Sequence, residues 1–502
     1  MNKLGYSLLL LLYPLAAVSQ PTGGDSLASV RERASYLSGA SLLPYANPAV
    51  QRTRYASSLS EVWGGYSTAR EDRYRMETGD SYHGGNFHAK TFTQLGQQAV
   101  VWGEAIYLNG ERKNLKWNET VDYDRLYPYV TADSIGGFMK QETYFLQGGF
   151  AQKTNRWSYG VQVTYQSESA YRDRDPRPKN DMGLINATVG ATMDWGTRYA
   201  IGLYAFAEKY NMEQSVQFMN PKGKSVLYHL TGLGMDYVRF AGSNNSSVYK
   251  GRTLAAGITL TPLTAKGLAA AFYLEQYHVQ KQLMLRNAYV PLNDVNQSLY
   301  KGEVSYRGRK GWVRIGASYR HRIGKERIYD DGTQNYHEIS SSEPYQEKAY
   351  TASLCGAYEG DAFSSFTWGV QPSVTFISDE TTYALPFRRT IFQTLYPRVD
   401  VHLIRPFKKM WLELGGDVHA ETVLHADLHL EDEADFAHGL EAVHHNYDAF
   451  SAGGTGFGVY ASWHLACRRY LRSIYLKPAY TCTYYTHNWK NYGLALSVGL
   501  TI

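Results

Sequence analysis

The chain of 502 residues carries 51 Lys and Arg against 46 Asp and Glu, a formal net charge of +5 without a long basic run, so no nucleic acid partner is implied. Its mean hydropathy of −0.41, with one long apolar run at its start, excludes a bundle of membrane helices. Tyr occurs 43 times against 3 Cys and 16 Pro, a composition that favours strands. Three cysteines cannot all pair. Cys467 and Cys482 fall near opposite ends of a predicted strand and Cys355 in the middle of another, so no disulfide is expected.

In chain order, "MNKLGYSLLLLLYPLAAVSQ" has a positive start, a short apolar core and a small-residue cleavage site, which predicts a secretory signal peptide over residues 1–19. Residues 20–57 are expected to lie in the periplasm or to enter a lumen, and 58–502 to form one barrel. The reason is a recurrent period of two. Trp157, Tyr159, Val161, Val163 and Tyr165 alternate with Ser158, Gly160, Gln162 and Thr164. Phe366–Phe376, Phe457–Leu465 and Tyr492–Ile502 repeat the pattern. Runs of about 9–13 residues suit strands that cross a bilayer at a tilt. A soluble sandwich has shorter strands and Lys- and Glu-rich outer faces. Here the polar faces are Ser, Thr, Gly and Gln, and aromatics end the apolar faces. Tyr and Trp favour membrane interfaces because an apolar ring there carries a group that seeks water.

Connections alternate in length. Short ones are expected at 96–98, 154–156, 196–198, 307–311, 359–364, 406–409 and 468–472. Long ones are expected at 109–141, 168–181, 323–346, 378–390 and 421–450. Ser225–Phe240 reads as an extracellular excursion rather than a spanning strand. The expected fold is all-β: a transmembrane antiparallel β-barrel of about 18 strands, within 16–20, with long extracellular loops and short periplasmic turns. A spanning sheet must close, since lipid cannot satisfy an edge. The expected location is the outer membrane of a Gram-negative bacterium, with outer membrane lipids around the wall.

Three sets of candidate site residues emerge. Glu119, Asp122, Asp124 and Asp133, with Trp117 and Tyr123, lie on one long loop and Arg172, Arg174 and Arg177 on the next, which predicts loops docked as a lid through ion pairs and aromatics, or a catch for an anionic ligand. Arg314, Arg320, Arg398, Asp400 and Glu413 point into the lumen if the alternation holds. The third set is the stretch His419–Asp448, which holds six of the 15 histidines. His425, His429, His438, Glu441, His444 and His445 combine imidazole with carboxylate, a donor set for transition metals, and so a surface-bound metal or haem is considered. A helix over Ala434–His445 would place Glu441 and His445 on the face of His438. The bland alternative is a solvated acidic loop. No spacing singles out a nucleophile and base, so no enzyme is expected. "GGTGFG" at Gly453–Gly458 opens an alternating strand and is not a phosphate loop.

The stretches "YANPAVQRTRYASSLSEVWGGYS" (Tyr45–Ser67), "GEAIYLNGERKNLKWNETVDYDRLYPYVTADSIGG" (Gly103–Gly137) and "SESAYRDRDPRPKND" (Ser167–Asp181) resemble a family of outer-membrane β-barrels from Bacteroidota. The family has no established activity. Its members are often encoded near TonB-dependent receptors and surface lipoproteins. The resemblance thus implies participation in nutrient or metal uptake. With the His-rich stretch, the expected role is an accessory component of a nutrient uptake system for iron, haem or a metal-linked ligand, with a TonB-dependent receptor and a surface lipoprotein as partners. A stand-alone, porin-like diffusion channel is the alternative, and a surface adhesin or structural barrel comes third.

Overall fold

The computed structural model describes residues 28–220, 226–242, 246–285, 288–330, 336–362, 366–407, 409–431, 438–467 and 471–502. The expected signal peptide and residues 20–27 lie outside the described residues. Eighteen antiparallel strands form one closed sheet. Consecutive barrel strands pair along the chain, and the seam closes where Leu59–Glu71 meets Lys490–Thr501, with Glu61 opposite Thr501 and Glu71 opposite Asn491. Closure leaves no unpaired edge, as a wall against lipid requires.

Alternation decides which way each side chain points. On Glu338–Ala362, Tyr350, Leu354 and Tyr358 are exposed on the outer face, while Tyr345, Glu347, Cys355 and Glu359 are buried inside. Tyr350 and Tyr358 bracket an apolar band of about 20–25 Å for a tilted strand. Toward the long-loop end the outer tyrosines form a ladder. The ring of Tyr319 stacks on Tyr350 at 4.7 Å and on Tyr300 at 6.2 Å. Toward the short-turn end, exposed Trp157, Trp195, Tyr306, Trp368 and Trp463 make the second girdle.

The described short turns at 96–98, 155–156, 196–198 and 308–310 fall where the sequence places them. Three of them are set by a left-handed residue: Gly96 (φ 70°), Asn155 (φ 55°) and Gly196 (φ 66°). The strand Glu338–Ala362 runs through most of the turn expected at 359–364, and a further turn falls at 263–266. Parts of those expected at 359–364, 406–409 and 468–472 lie outside the described residues. All five expected long connections are corrected: the strands extend into each, leaving 116–136, 330–337 and 431–453 for three of them, and two shrink to short turns. The strands Trp157–Tyr171 and Arg177–Trp195, and Phe366–Tyr383 and Arg388–Pro406, continue upward until residues 172–176 and 384–387 alone connect them. Above the apolar band the outer face also meets water, so the contrast that marks a strand fades while the backbone ladder persists. The three cysteines are free.

Both ends of the lumen are filled. At the short-turn end, residues 28–57 pack inside the barrel as the helix Ala28–Ala34 and three 3-10 turns. Wall carboxylates hold their backbone. Glu359 accepts from the Ser35 hydroxyl and the Tyr36 amide, each at 2.6 Å. Glu303 accepts from the amides of Leu42 at 2.8 Å and Leu43 at 3.2 Å. Tyr36 also stacks on His402 at 3.9 Å. Gly190 and Gly160 make room for Asn47–Ala49, since a Cβ on Gly190 would come within 2.0 Å of the Asn47 side-chain oxygen Oδ1.

At the long-loop end, residues 116–136, 226–242 and 438–453 fold inward as a cap. The described part of the expected excursion, 226–240, therefore lies in the lumen mouth rather than outside it, and Ser225 lies outside the described residues. Its strand Tyr228–Gly232 pairs with Thr131–Ala132 and with Met235–Asp236 in a small sheet. Leu126, Val130, Ala132 and Met212 form part of a shared apolar core between cap and wall. With single cysteines in a cysteine-free background, Leu385→Cys in the turn 384–387 at the cap end of the barrel, 82% exposed, is expected to react on intact cells with an impermeant maleimide. Asn155→Cys, in a short turn, is not; equal labelling would contradict this topology.

Candidate functional site

The cap is tied to the wall by buried charges. Arg172 enters from the loop after Trp157–Tyr171, and its side chain is 0% exposed, as are those of Glu119 and Asp133. Its Nη1 lies 2.8 Å from Glu119 and 3.5 Å from Asp133, and Nε donates to the Phe138 carbonyl at 2.9 Å. Of the four acidic residues expected on this loop, Glu119 and Asp133 meet Arg172, whereas Asp122 and Asp124 have other partners. Left-handed backbone at Trp117 (φ 58°) and Asp122 (φ 55°) redirects this loop. Trp117 is buried and donates to Glu441 at 3.0 Å. Asp122 accepts the first helical amides of Tyr123–Leu126 through its carbonyl, and Asp124 pairs with Arg75. Arg174 is exposed. Arg177 pairs with Asp175 of its own turn at 2.8 Å.

A second tie is Arg73. Both Nη groups reach Glu421, with one contact at 3.0 Å, and Nε donates to the Ala449 carbonyl at 2.5 Å. The guanidinium lies 4.6 Å from the Tyr485 ring centroid. Tyr396 donates to the same Glu421 at 2.9 Å. Nearby, Glu77 joins two cap segments, accepting from Tyr123 at 3.0 Å and Asn446 at 2.8 Å.

Two cavities lie beneath the cap, one of ≈ 570 Å³ and one of ≈ 530 Å³. Glu77, Tyr123, Asp124 and Arg322 line both. Glu168, Glu208 and Glu275 make the first acidic, whereas Phe392, Tyr447 and Phe450 give the second an aromatic side.

The residues expected in the lumen face it with partners. Arg314 donates to the Gly39 carbonyl at 2.7 Å. Arg320 pairs with Glu347, and with Asp379 at 3.5 Å. Arg398 bonds Asp400 at 2.7 Å and Asp417 at 3.3 Å. Glu413 accepts from Tyr460 at 2.7 Å.

The proposed metal ligands are not brought together. His425 and His429 lie on Met410–Leu430 opposite Gln393 and Arg389, on the face away from buried Thr390 and Thr394. His438 is inside the cap, bonded to Asp236 at 2.8 Å and stacked on Tyr228 at 4.5 Å. The helix begins only at Leu440, so His438 does not share its face with Glu441 and His445. Glu441 bonds Lys116 at 2.7 Å, and His445 bonds the Tyr74 carbonyl at 3.2 Å. His444 is exposed. Among the described residues no group of three or more His, Cys, Asp or Glu could hold a metal ion. Local density of histidine reported a shared stretch of chain, not a shared point in space.

The residues that sequence reasoning missed, Arg73, Glu77 and Glu421, are isolated charges in unremarkable surroundings. Arg73 and Glu421 are separated by 348 positions, so no local signal joins them. Burial, and then the neighbouring Asp133, push the Glu119 carboxyl well above the ordinary range, against the pull of Arg172. A carboxyl raised in the folded state stabilises it below the unfolded value and loses that contribution as pH rises through the folded value. Amide exchange in 117–133 is therefore expected to quicken as pH rises above the ordinary carboxylate range, after correction for intrinsic rates, and Glu119→Gln should flatten the profile.

A closed, girdled sheet with a filled lumen defines a membrane-spanning β-barrel of the outer-membrane type. The chain belongs to the family of unknown function DUF6850, whose profile matches residues 48–502. No curated protein matches the chain. Among solved structures it is similar to BauA, the ferric preacinetobactin receptor from Acinetobacter baumannii, at 9% identity and a TM-score of 0.41, over 89% of this chain and 80% of that one. It is similar to the ferric-catecholate import receptor Fiu from E. coli K12 at 8% identity and a TM-score of 0.40, over 89% and 82%. A FadL homologue from Pseudomonas aeruginosa aligns at 11% identity and a TM-score of 0.34, over 96% and 98%. These are likenesses of architecture.

Proposed function

We propose that the chain is a non-enzymatic barrel of the Gram-negative outer membrane and an accessory component of a nutrient uptake system, not a stand-alone diffusion channel. The observation that supports this reading best is the double closure of the lumen. Residues 28–57 are hydrogen-bonded across one end and the cap across the other. A diffusion channel needs a continuous wet path. A barrel closed in this way instead offers a folded cap surface. A TonB-dependent receptor and a surface lipoprotein as partners rest on the family resemblance. Iron, haem or a metal-linked ligand as the cargo rested on the His-rich stretch, whose described histidines are scattered. Affinity isolation from cross-linked native membranes tests the reading. It predicts a stoichiometric complex with a larger barrel and a lipoprotein. Isolation of the chain alone, with open-channel behaviour, would overturn it.

A further inference from the structure

A fully buried polar cluster sits where the cap strand Tyr228–Gly232 meets the wall. Lys281, on the strand Gly267–Leu285, is 1% exposed. Its ammonium donates to the Val130 carbonyl at 3.0 Å and lies 5.6 Å from the Tyr249 ring centroid. It forms no ion pair with a carboxylate among the described residues. Asn293 stands directly opposite it on the neighbouring strand, fully buried, with neither end of its amide hydrogen-bonded. His229, in register with Thr131, is also buried, and neither ring nitrogen has a partner. Burial, and then the charge of Lys281, hold this imidazole well below its ordinary value, so it is neutral and offers one N–H.

Three adjoining buried side chains with unspent hydrogen-bonding groups are not expected in a finished interior. Their unspent donors, on the ammonium, the amide and the imidazole, outnumber their unspent acceptors. Burial without a carboxylate partner among the described residues pulls the Lys281 ammonium well below its ordinary value. An anion beside it would compensate the charge and hold the proton on; a neutral or cationic guest would not.

We propose that a small monovalent anion of halide size occupies this cluster, accepts N–H groups from Lys281, Asn293 and His229, and ties the cap to the barrel wall. The site is small because every member is almost wholly buried. It is independent of the uptake reading, since it needs neither cargo nor partner.

The test is to refold the purified chain into detergent in sodium bromide and, separately, in sodium gluconate, whose anion is too large to enter. The bromide form is then crystallised and its anomalous map calculated. The expected result is a bromide peak in contact with Lys281 Nζ and a thermal midpoint higher in bromide, with the difference lost in Lys281→Met. Should Lys281→Met fail to fold, Asn293→Leu provides the same comparison. The map on the unaltered protein decides. Water, or no anomalous peak, beside Lys281 would overturn the proposal.

Discussion

Removing both residues 28–57 and the cap loop 117–135 is expected to give large, steady single-channel currents, while removing either alone leaves conductance close to that of the intact protein. The two closures lie in series along one lumen, so each suffices to block it. At the short-turn end the seal is made of specific bonds: Glu359 to Ser35 and Tyr36, Glu303 to Leu42 and Leu43, and Arg314 to Gly39. At the other end it is the cap core with its buried ion pairs. A gentler version replaces Glu303 and Glu359 by Ala together with Arg73→Ala, keeping every segment present. Full conductance after removal of residues 28–57 alone would show that the cap is porous. Outward-facing side chains are untouched in these variants, so insertion should be preserved.

The second large effect is expected at Arg172. Arg172→Ala leaves Glu119 and Asp133 buried together without their shared cation. Breaking a buried ion pair by removing one partner costs about 3–5 kcal/mol. That cost falls on cap docking, because the eighteen-strand ladder does not depend on this contact. Amides of 117–133 should then exchange orders of magnitude faster, while the heat-modifiable gel mobility of the barrel stays unchanged. Replacing Arg172 and Glu119 together by Met should recover much of the loss, since apolar substitutes for a buried pair are often neutral. If Arg172→Ala leaves exchange in 117–133 unchanged, the triad does not hold the cap.

The barrel was legible because its pattern is local. Within Trp157–Tyr165 each residue declares its face by polarity alone, and turns such as Thr154–Arg156 are marked by a residue that tolerates left-handed backbone. The inward direction of Arg314, Arg320, Arg398, Asp400 and Glu413 followed from the same alternation. The cap was not legible in this way. Arg172 and the acidic residues of the neighbouring loop were legible as docking candidates, yet which of the four acids it meets depends on how residues 117–133 bend, which no period records. The His-rich stretch failed for a related reason. His425 and His429 continue a strand whose register slips opposite Gln393 and Thr394, leaving Leu424 unpaired, while His438 and His445 belong to a segment that turns back into the lumen. The polar cluster of Lys281, His229 and Asn293 joins three distant segments and has no sequence signature.

The central claim is that this outer-membrane barrel is closed at both ends as it stands. The most direct measurement is the conductance of the intact protein, residues 28–57 included, in a planar bilayer. The account predicts little or no current above the bare membrane over a range of voltages. Large, steady single-channel currents from the unaltered protein would contradict it and favour a diffusion channel.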